Sequence, residues 1–287
     1  MSTQKVAQRA PKSACNFAPS NEANMMGMND RIKRLRKESF EAQPSLSIER
    51  ALIETKFYKE NEGKYPIPIL RALNFYEICK QKTIYIGKDE LIVGERGPRP
   101  KSVPTFPELT CHSVEDLHIL NTRELQRYTI SQEDIDTYER EVIPYWKGRT
   151  QRERIFNHVP KEWKEAYEVG MFTEFMEQRA PGHTALDGKV YRYGLLDLKD
   201  RIQKHIESLD FMNDPEATDK QEELQAMAIS CDAAILFANR HADLADEMSM
   251  TEKDPKRAAE LRRIAEVCRW VPAHAPRDFW EAIQMYW

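Results

Sequence analysis

The side chains with the densest chemical reach lie between Met171 and Thr184, in Met-Phe-Thr-Glu-Phe-Met-Glu-Gln-Arg-Ala-Pro-Gly-His-Thr. An apolar stretch there delivers Glu177, Gln178 and Arg179 into Ala180-Pro181-Gly182-His183. Pro181 stiffens such a turn and Gly182 permits close backbone approach, which is how a loop aims one side chain into a pocket. With an unperturbed pKa of about 6.5, His183 could hydrogen-bond or protonate a substrate oxygen. It could equally satisfy a backbone carbonyl in a buried turn, and composition leaves both readings open.

Other chemistries find less support. There is no Gly-x-Ser-x-Gly, no Walker loop and no Gly-x-Gly-x-x-Gly. Cys111 and His112 are neighbours in sequence, whereas catalytic Cys–His pairs converge from distant segments. The 5 Cys (Cys15, Cys79, Cys111, Cys231, Cys268) are odd in number and scattered, with no Cys-x-x-Cys or His-Glu-x-x-His. They read as reduced thiols of a cytoplasmic protein with no metal site and no bound cofactor.

The elements that would position these residues are mostly helices. Asp30 is placed to cap a basic helix through Phe40, and a second helix from about Ser47 carries Ile48, Ala51, Leu52 and Thr55 on one stripe, with Gly63 at its C-terminal cap. Pro66 and Pro68 open a third. Thr83–Ile86 and Glu90–Val93 flank Gly87-Lys88-Asp89 and predict a small β-hairpin, followed by an irregular connection over Gly94–Pro107. Capping boxes at Ser113–Asp116 and Ser131–Asp134 start two more helices, the second running to Trp146. Another spans Lys161–Tyr167. A long helix over Glu222–Met248 aligns Leu224, Met227, Ala228, Cys231, Ala234, Ile235, Ala238, Ala242 and Ala245, and Lys256–Arg269 forms the next. The last starts with Pro276 at N1 and runs through Phe279, Trp280 and Ile283 to Trp287, where the sequence reads as cut inside an apolar face with no C-cap.

Composition sets the outer bounds. The 287 residues carry 43 Lys+Arg against 47 Asp+Glu, a net charge of −4, which argues against a nucleic-acid binder. A hydrophobic share of 41% supports a packed core. With 31% charged residues and no apolar run near the ~18 residues of a membrane span, the chain reads as soluble, with no membrane contact. Only 10 Gly, about half the usual ~7%, favours helices. Residues 1–27 are small and polar, without an acidic residue until Glu22, and read as a disordered tail; Met25, Met26 and Met28 are alternative starts.

The segment Phe172–Thr184 closely resembles a stretch of the glycyl radical enzymes, the pyruvate formate-lyase-like superfamily, in the branch of trans-4-hydroxy-L-proline dehydratase. Further segments agree in order: Ser47–Ala51, Ile67–Leu73, Glu90–Glu95, Pro104–Glu108, Leu195–Lys199, Val271–His274 and Gln284–Trp287. The resemblance covers Asp30 to Trp287 and corresponds to the N-terminal portion of a longer family sequence. It implies a mainly α part, with the small β-hairpin, of an α/β ten-stranded glycyl-radical barrel. Residues 28–287 would be the N-terminal part of the pyruvate formate-lyase domain, truncated at its C-terminal end.

The implied activity is dehydration of trans-4-hydroxy-L-proline or a related small hydroxylated substrate. A radical-SAM activating enzyme installs a glycyl radical, which oxidises a Cys to a thiyl, and the thiyl abstracts hydrogen from the substrate. By resemblance His183 matches the family's substrate-pocket His. Implied partners are the small-molecule substrate, the activase, a second copy in a homodimer when complete, and possibly the C-terminal half of a split enzyme. The thiyl Cys, which in the family sits in a loop with an acidic neighbour, and the radical Gly in an Arg-Val-x-Gly-Tyr type motif do not occur here, none of the five Cys having that context. No catalytic residue is therefore assigned in this chain, which would be inactive alone. The alternative is a non-catalytic helical interaction protein derived from such an enzyme.

Overall fold

The computed structural model describes residues 29–172 and 186–287. The 1–27 tail and the Phe172–Thr184 segment beyond Phe172 lie outside the described residues. Two units are distinguished, residues 1–41 and 42–287. In the first, α1 (Asp30–Glu41) is capped by Asn29, whose Oδ1 accepts from the Ile32 amide at 3.0 Å. The cap thus falls one residue before the expected Asp30, which instead lies 3.5 Å from Lys33.

In the second unit, β1 (Ser45–Ser47) leads into α2 (Glu49–Asn61), and Gly63, at φ +79°, closes that helix in the left-handed conformation that only Gly adopts cheaply. Next come α3 (Ile67–Gln81), β2 (Ser102–Pro104), α4 (Val114–Thr122) and α5 (Gln132–Glu141). The chain is mostly helical, and its sheet is not the expected hairpin. It is a parallel pair, β1 with β2, in which Ser45, Leu46 and Ser47 face Ser102, Val103 and Pro104. The connection that reads as irregular in sequence supplies one of those strands.

Segment 83–93 forms no strand because its backbone groups are taken by side chains. Arg257 donates to the Gly87 and Glu90 carbonyls at 2.9 and 2.8 Å, and Trp280 Nε1 donates to the Leu91 carbonyl at 2.9 Å. The Gln284 carboxamide accepts from the Val93 amide and donates to its carbonyl, at 2.9 and 2.8 Å, as a neighbouring strand would. The apolar residues that suggested a hairpin, Ile86 and Val93, are buried against helices instead.

Of the two expected capping boxes, the one at Ser113 is complete, whereas Ser131 accepts from the Asp134 amide and its own hydroxyl, not its backbone N–H, donates to the Asp134 carboxylate. Pro144 interrupts the helix expected to reach Trp146, leaving α5 and a short α6 (Ile143–Trp146). A further helix, α7 (Gln151–His158), absent from the sequence reading, begins at a Thr150–Glu153 capping box. Then follow α8 (Lys161–Glu168), α9 (Leu195–Glu207), α10 (Ala217–Thr251), α11 (Pro255–Trp270) and α12 (Phe279–Tyr286). The start of α12 is set by Asp278, which accepts from the Glu281 amide at 2.9 Å, rather than by Pro276.

Two cores result. One gathers Leu46, Ile48, Ala51, Leu117, Ile135, Tyr138, Val142 and Trp146 around α2, α4 and α5. The other joins Ile86 and Val93 to Ala242, Ala245, Leu261, Ile264 and Cys268 of α10 and α11. Small side chains on α10, among them Ala233, Ala242 and Ala245 at 0% exposure, let α3, α9 and α11 approach closely. Met227 lies on the stripe read from sequence yet is exposed.

Candidate functional site

His183 lies outside the described residues, so the structure places its approaches and not its ring. On the near side, Phe172 rests 4.8 Å from Trp163 and 6.2 Å from Tyr167, ring centre to ring centre. Phe156 meets both rings edge-on, and the Arg152 guanidinium lies 4.3 Å over Phe156. On the far side a 3-10 turn spans Asp187–Tyr191, and the chain enters α9 at Gly194.

The segments that carry the family resemblance are tied to each other in space. Ser47–Ala51 meets Pro104–Glu108 through Arg50, which donates to Glu108 Oε1 and Oε2 at 2.6 and 3.0 Å, to Glu54 at 2.8 Å and to the Thr105 carbonyl at 3.3 Å. Its guanidinium also stacks 4.2 Å from the Phe106 ring. Asn74, buried on α3, donates to the other Glu54 oxygen at 3.0 Å. Glu90–Glu95 meets Gln284–Trp287 through the carboxamide clasp on Val93. Leu195–Lys199 meets Val271–His274 where the first two amides of α9 donate to the Pro272 and Ala273 carbonyls, at 2.8 and 3.0 Å. Gly194 makes that approach possible: a Cβ there would lie 2.6 Å from the Ala273 carbonyl carbon.

The buried ionic cluster was not singled out in the sequence, although Arg50 and Glu54 stand at i,i+4 beside the apolar stripe of Ala51 and Thr55. Burial pushes the Glu54 carboxyl up to about 8, against the pull of Arg50. One guanidinium between two carboxylates balances a single charge, so a proton held by Glu54 keeps the cluster neutral. The Asn74 donation opposes that rise, and Asn74 Oδ1 is buried with no partner among the described residues.

None of the described thiols sits beside a base that would activate it. Cys111 Sγ lies 3.7 Å from the Tyr138 hydroxyl and 3.8 Å from the His112 carbonyl, and burial pushes its pKa up. Burial raises Cys79 to about 11 and Cys268 to about 12, and raises Cys231 as well. These are protonated, poorly nucleophilic groups. Among the described residues, no three His, Cys, Asp or Glu side chains group to hold a metal, and no helix is long and apolar enough to cross a membrane.

The described residues form a mainly helical scaffold, pinned by a buried ionic cluster and by side-chain clasps onto the 83–93 loop. Residues 25–287 match the family described as pyruvate formate lyase-like, and the chain belongs to that family. It is 46% identical over 261 residues to trans-4-hydroxy-L-proline dehydratase of Clostridioides difficile, covering 91% of this chain and 33% of the relative. The crystal structure of hydroxyproline dehydratase from Clostridioides difficile with trans-4-hydroxy-L-proline bound superposes with a TM-score of 0.87, covering 91% of this chain and 33% of that one. The glycerol-bound B12-independent glycerol dehydratase of Clostridium butyricum gives a TM-score of 0.83 at 32% identity, over 91% of this chain and 33% of its own. The chain thus spans about a third of the length of the relatives it matches.

Proposed function

We propose that these residues are the N-terminal third of a glycyl radical dehydratase that removes water from trans-4-hydroxy-L-proline or a related small hydroxylated substrate. The observation that carries the reading is the match, at 46% identity and a TM-score of 0.87, to a dehydratase with that substrate bound. The spatial pairing of the resembling segments supports it, because those segments are hydrogen-bonded to one another. In the reaction a thiyl radical takes one hydrogen atom from substrate carbon, hydroxide leaves from the adjacent carbon, and the hydrogen is returned to the product radical. The glycyl radical and the thiyl are supplied by residues other than these 287, after activation by a radical-SAM enzyme. His183 is assigned to the substrate pocket, where it binds or protonates the departing oxygen. The surrounding helices exclude water from the reacting radical. The assembled enzyme is a cytoplasmic homodimer.

A chimera tests this reading. Residues 30–287 are joined to the C-terminal two-thirds of the Clostridioides difficile relative and activated anaerobically with its activase. The expected result is a glycyl radical signal together with conversion of hydroxyproline to the dehydrated pyrroline carboxylate, with His183→Ala lowering kcat/KM by about 100-fold or more. A chimera that carries the radical and leaves hydroxyproline unchanged would show that this third belongs to an enzyme for a different substrate.

A further inference from the structure

A groove of about 830 Å³ runs along α10 between α3 and α9, both of which pack on that helix. Its floor is one face of α10, where Leu224, Met227, Cys231 and Ala234 recur at helical spacing. One wall is the face of α3 that carries Ile67 and Phe75, and the other is α9 around Leu198. Ile67, Phe75 and Met227 remain 72%, 43% and 53% exposed. Large apolar side chains left in water on two helices around one groove mark a surface that a partner covers.

The charge around this groove is one-sided. Arg71, Lys189 and Arg201 line it, and none of them forms an ion pair with a described carboxylate. By contrast Arg149, Arg269 and Arg277, exposed on other faces, each hold a carboxylate. His205 adds a further basic group, and Glu223 is the one carboxylate among the described lining residues. A fitting occupant is therefore apolar along its middle and acidic on its flanks. Its length follows from the floor: Leu224 to Ala234 rises about 15 Å, which about three turns of helix match at the roughly 8–10 Å spacing of packed helices.

We propose that the groove seats an acidic amphipathic helix, its apolar stripe on Leu224 and Met227 and its carboxylates against Arg71, Lys189 and Arg201, and that the rest of the enzyme supplies it. The source rests on the dehydratase reading, since the chain covers only 33% of the relatives' length and leaves the remainder to provide the helix. A second copy is disfavoured, because a two-fold axis would set the same cations against one another. A basic helix is disfavoured by the same repulsion.

Met227 reports the occupant, because peroxide turns methionine to its sulfoxide at a rate that follows access. In the isolated chain it should oxidise about as fast as Met250, which is 80% exposed and outside the groove. In the chimera of residues 30–287 with the relative's C-terminal two-thirds it should oxidise at least about tenfold more slowly. Charge is tested on the isolated chain with two synthetic helices of about 14 residues, which share a leucine stripe and carry either Glu or Lys on its flanks. The Glu peptide should shield Met227 saturably and bind at least about fivefold tighter than the Lys peptide, and Arg71→Glu with Arg201→Glu should reverse that order. A Met227 as reactive in the chimera as in the isolated chain, shielding already complete in the isolated chain, or a peptide order unchanged by the double substitution would each overturn the proposal. A chimera that shields Met227 and leaves hydroxyproline unchanged supports this inference and overturns the substrate reading alone. Should the chimera fail to fold, the peptides on the isolated chain decide.

Discussion

Glu54 is the side chain whose protonation this fold bends furthest toward neutral pH. It is 1% exposed, yet it shares Arg50 with Glu108 and can remain uncharged at pH 7 because burial lifts its pKa from 4.5 to about 8. The sign of the linkage follows directly. Below about pH 4.5 both folded and unfolded chains hold the proton; between there and about pH 8 only the folded chain does; above it neither does. The stability that Glu54 contributes is therefore complete at low pH, declines as pH rises through that window, and is lost beyond it. Glu54→Gln keeps an uncharged acceptor for Arg50 at every pH. Thermal unfolding of the two proteins should coincide near pH 5 and diverge toward pH 9, where the Gln variant is more stable by about 1–3 kcal/mol. A difference in Tm that stays constant from pH 5 to pH 9 would mean that the carboxyl is ionised throughout.

At the scale of elements, what the sequence disclosed and what it concealed divide along a physical line. Capping residues, helix-stopping Gly and the apolar stripe of α10 act locally, so Ser113, Ser131 and Gly63 can be read from their neighbours alone. The 83–93 segment could not be, because its alternation of apolar residues is the same whether a strand or a set of distant side chains satisfies its backbone. Arg257, Trp280 and Gln284 lie more than 160 residues away and decide the matter. Arg50, Glu108 and Asn74 likewise meet only after folding. His183 is legible as a candidate because Pro181 and Gly182 beside it announce a shaped turn, whereas His241 gives no local sign of the cavity that α3, α10, α11 and α12 line beside it.

The same clasp makes a prediction about the element it holds. Arg257→Ala strips the Gly87 and Glu90 carbonyls of their donor at a site where Arg257 is 6% exposed, and should cost about 3 kcal/mol. Amide exchange across residues 84–93 should accelerate ahead of the α10 core, while Arg257→Lys, with one compact ammonium, recovers only part of the protection. Uniform acceleration throughout the chain would show that the loop has no stability of its own to lose. Gly194→Ala tests the second junction. Its new methyl would run into the backbone of Ala273 and His274, so α9 must move off the 271–274 turn, at a cost of about 2–4 kcal/mol. Truncating Leu198 to Ala instead removes contacts without forcing the junction apart, and should leave exchange at the Leu195 and Leu196 amides slower than in the Gly194 variant.

On the scale of the whole molecule, two cores joined through α2, α3 and α10 give the 287 residues enough packed interior to fold, and chemistry is a separate question. A backbone glycyl radical needs its own sequence setting, and the glycines here serve other ends. Gly63 terminates α2, Gly97 lies against the backbone of Ser102, and Gly194 lets α9 meet the 271–274 turn. None stands in an Arg-Val-x-Gly-Tyr sequence, and burial pushes the described thiols up: Cys79, Cys231 and Cys268 are buried and Cys111 half-buried. The isolated chain, incubated anaerobically with an activase and reductant, should therefore unfold cooperatively on heating, yet show no glycyl doublet by electron paramagnetic resonance and no loss of hydroxyproline. A radical signal from these residues alone would place the radical-bearing glycine among the ten they contain and would overturn the division of labour proposed between this third and the remainder of the enzyme.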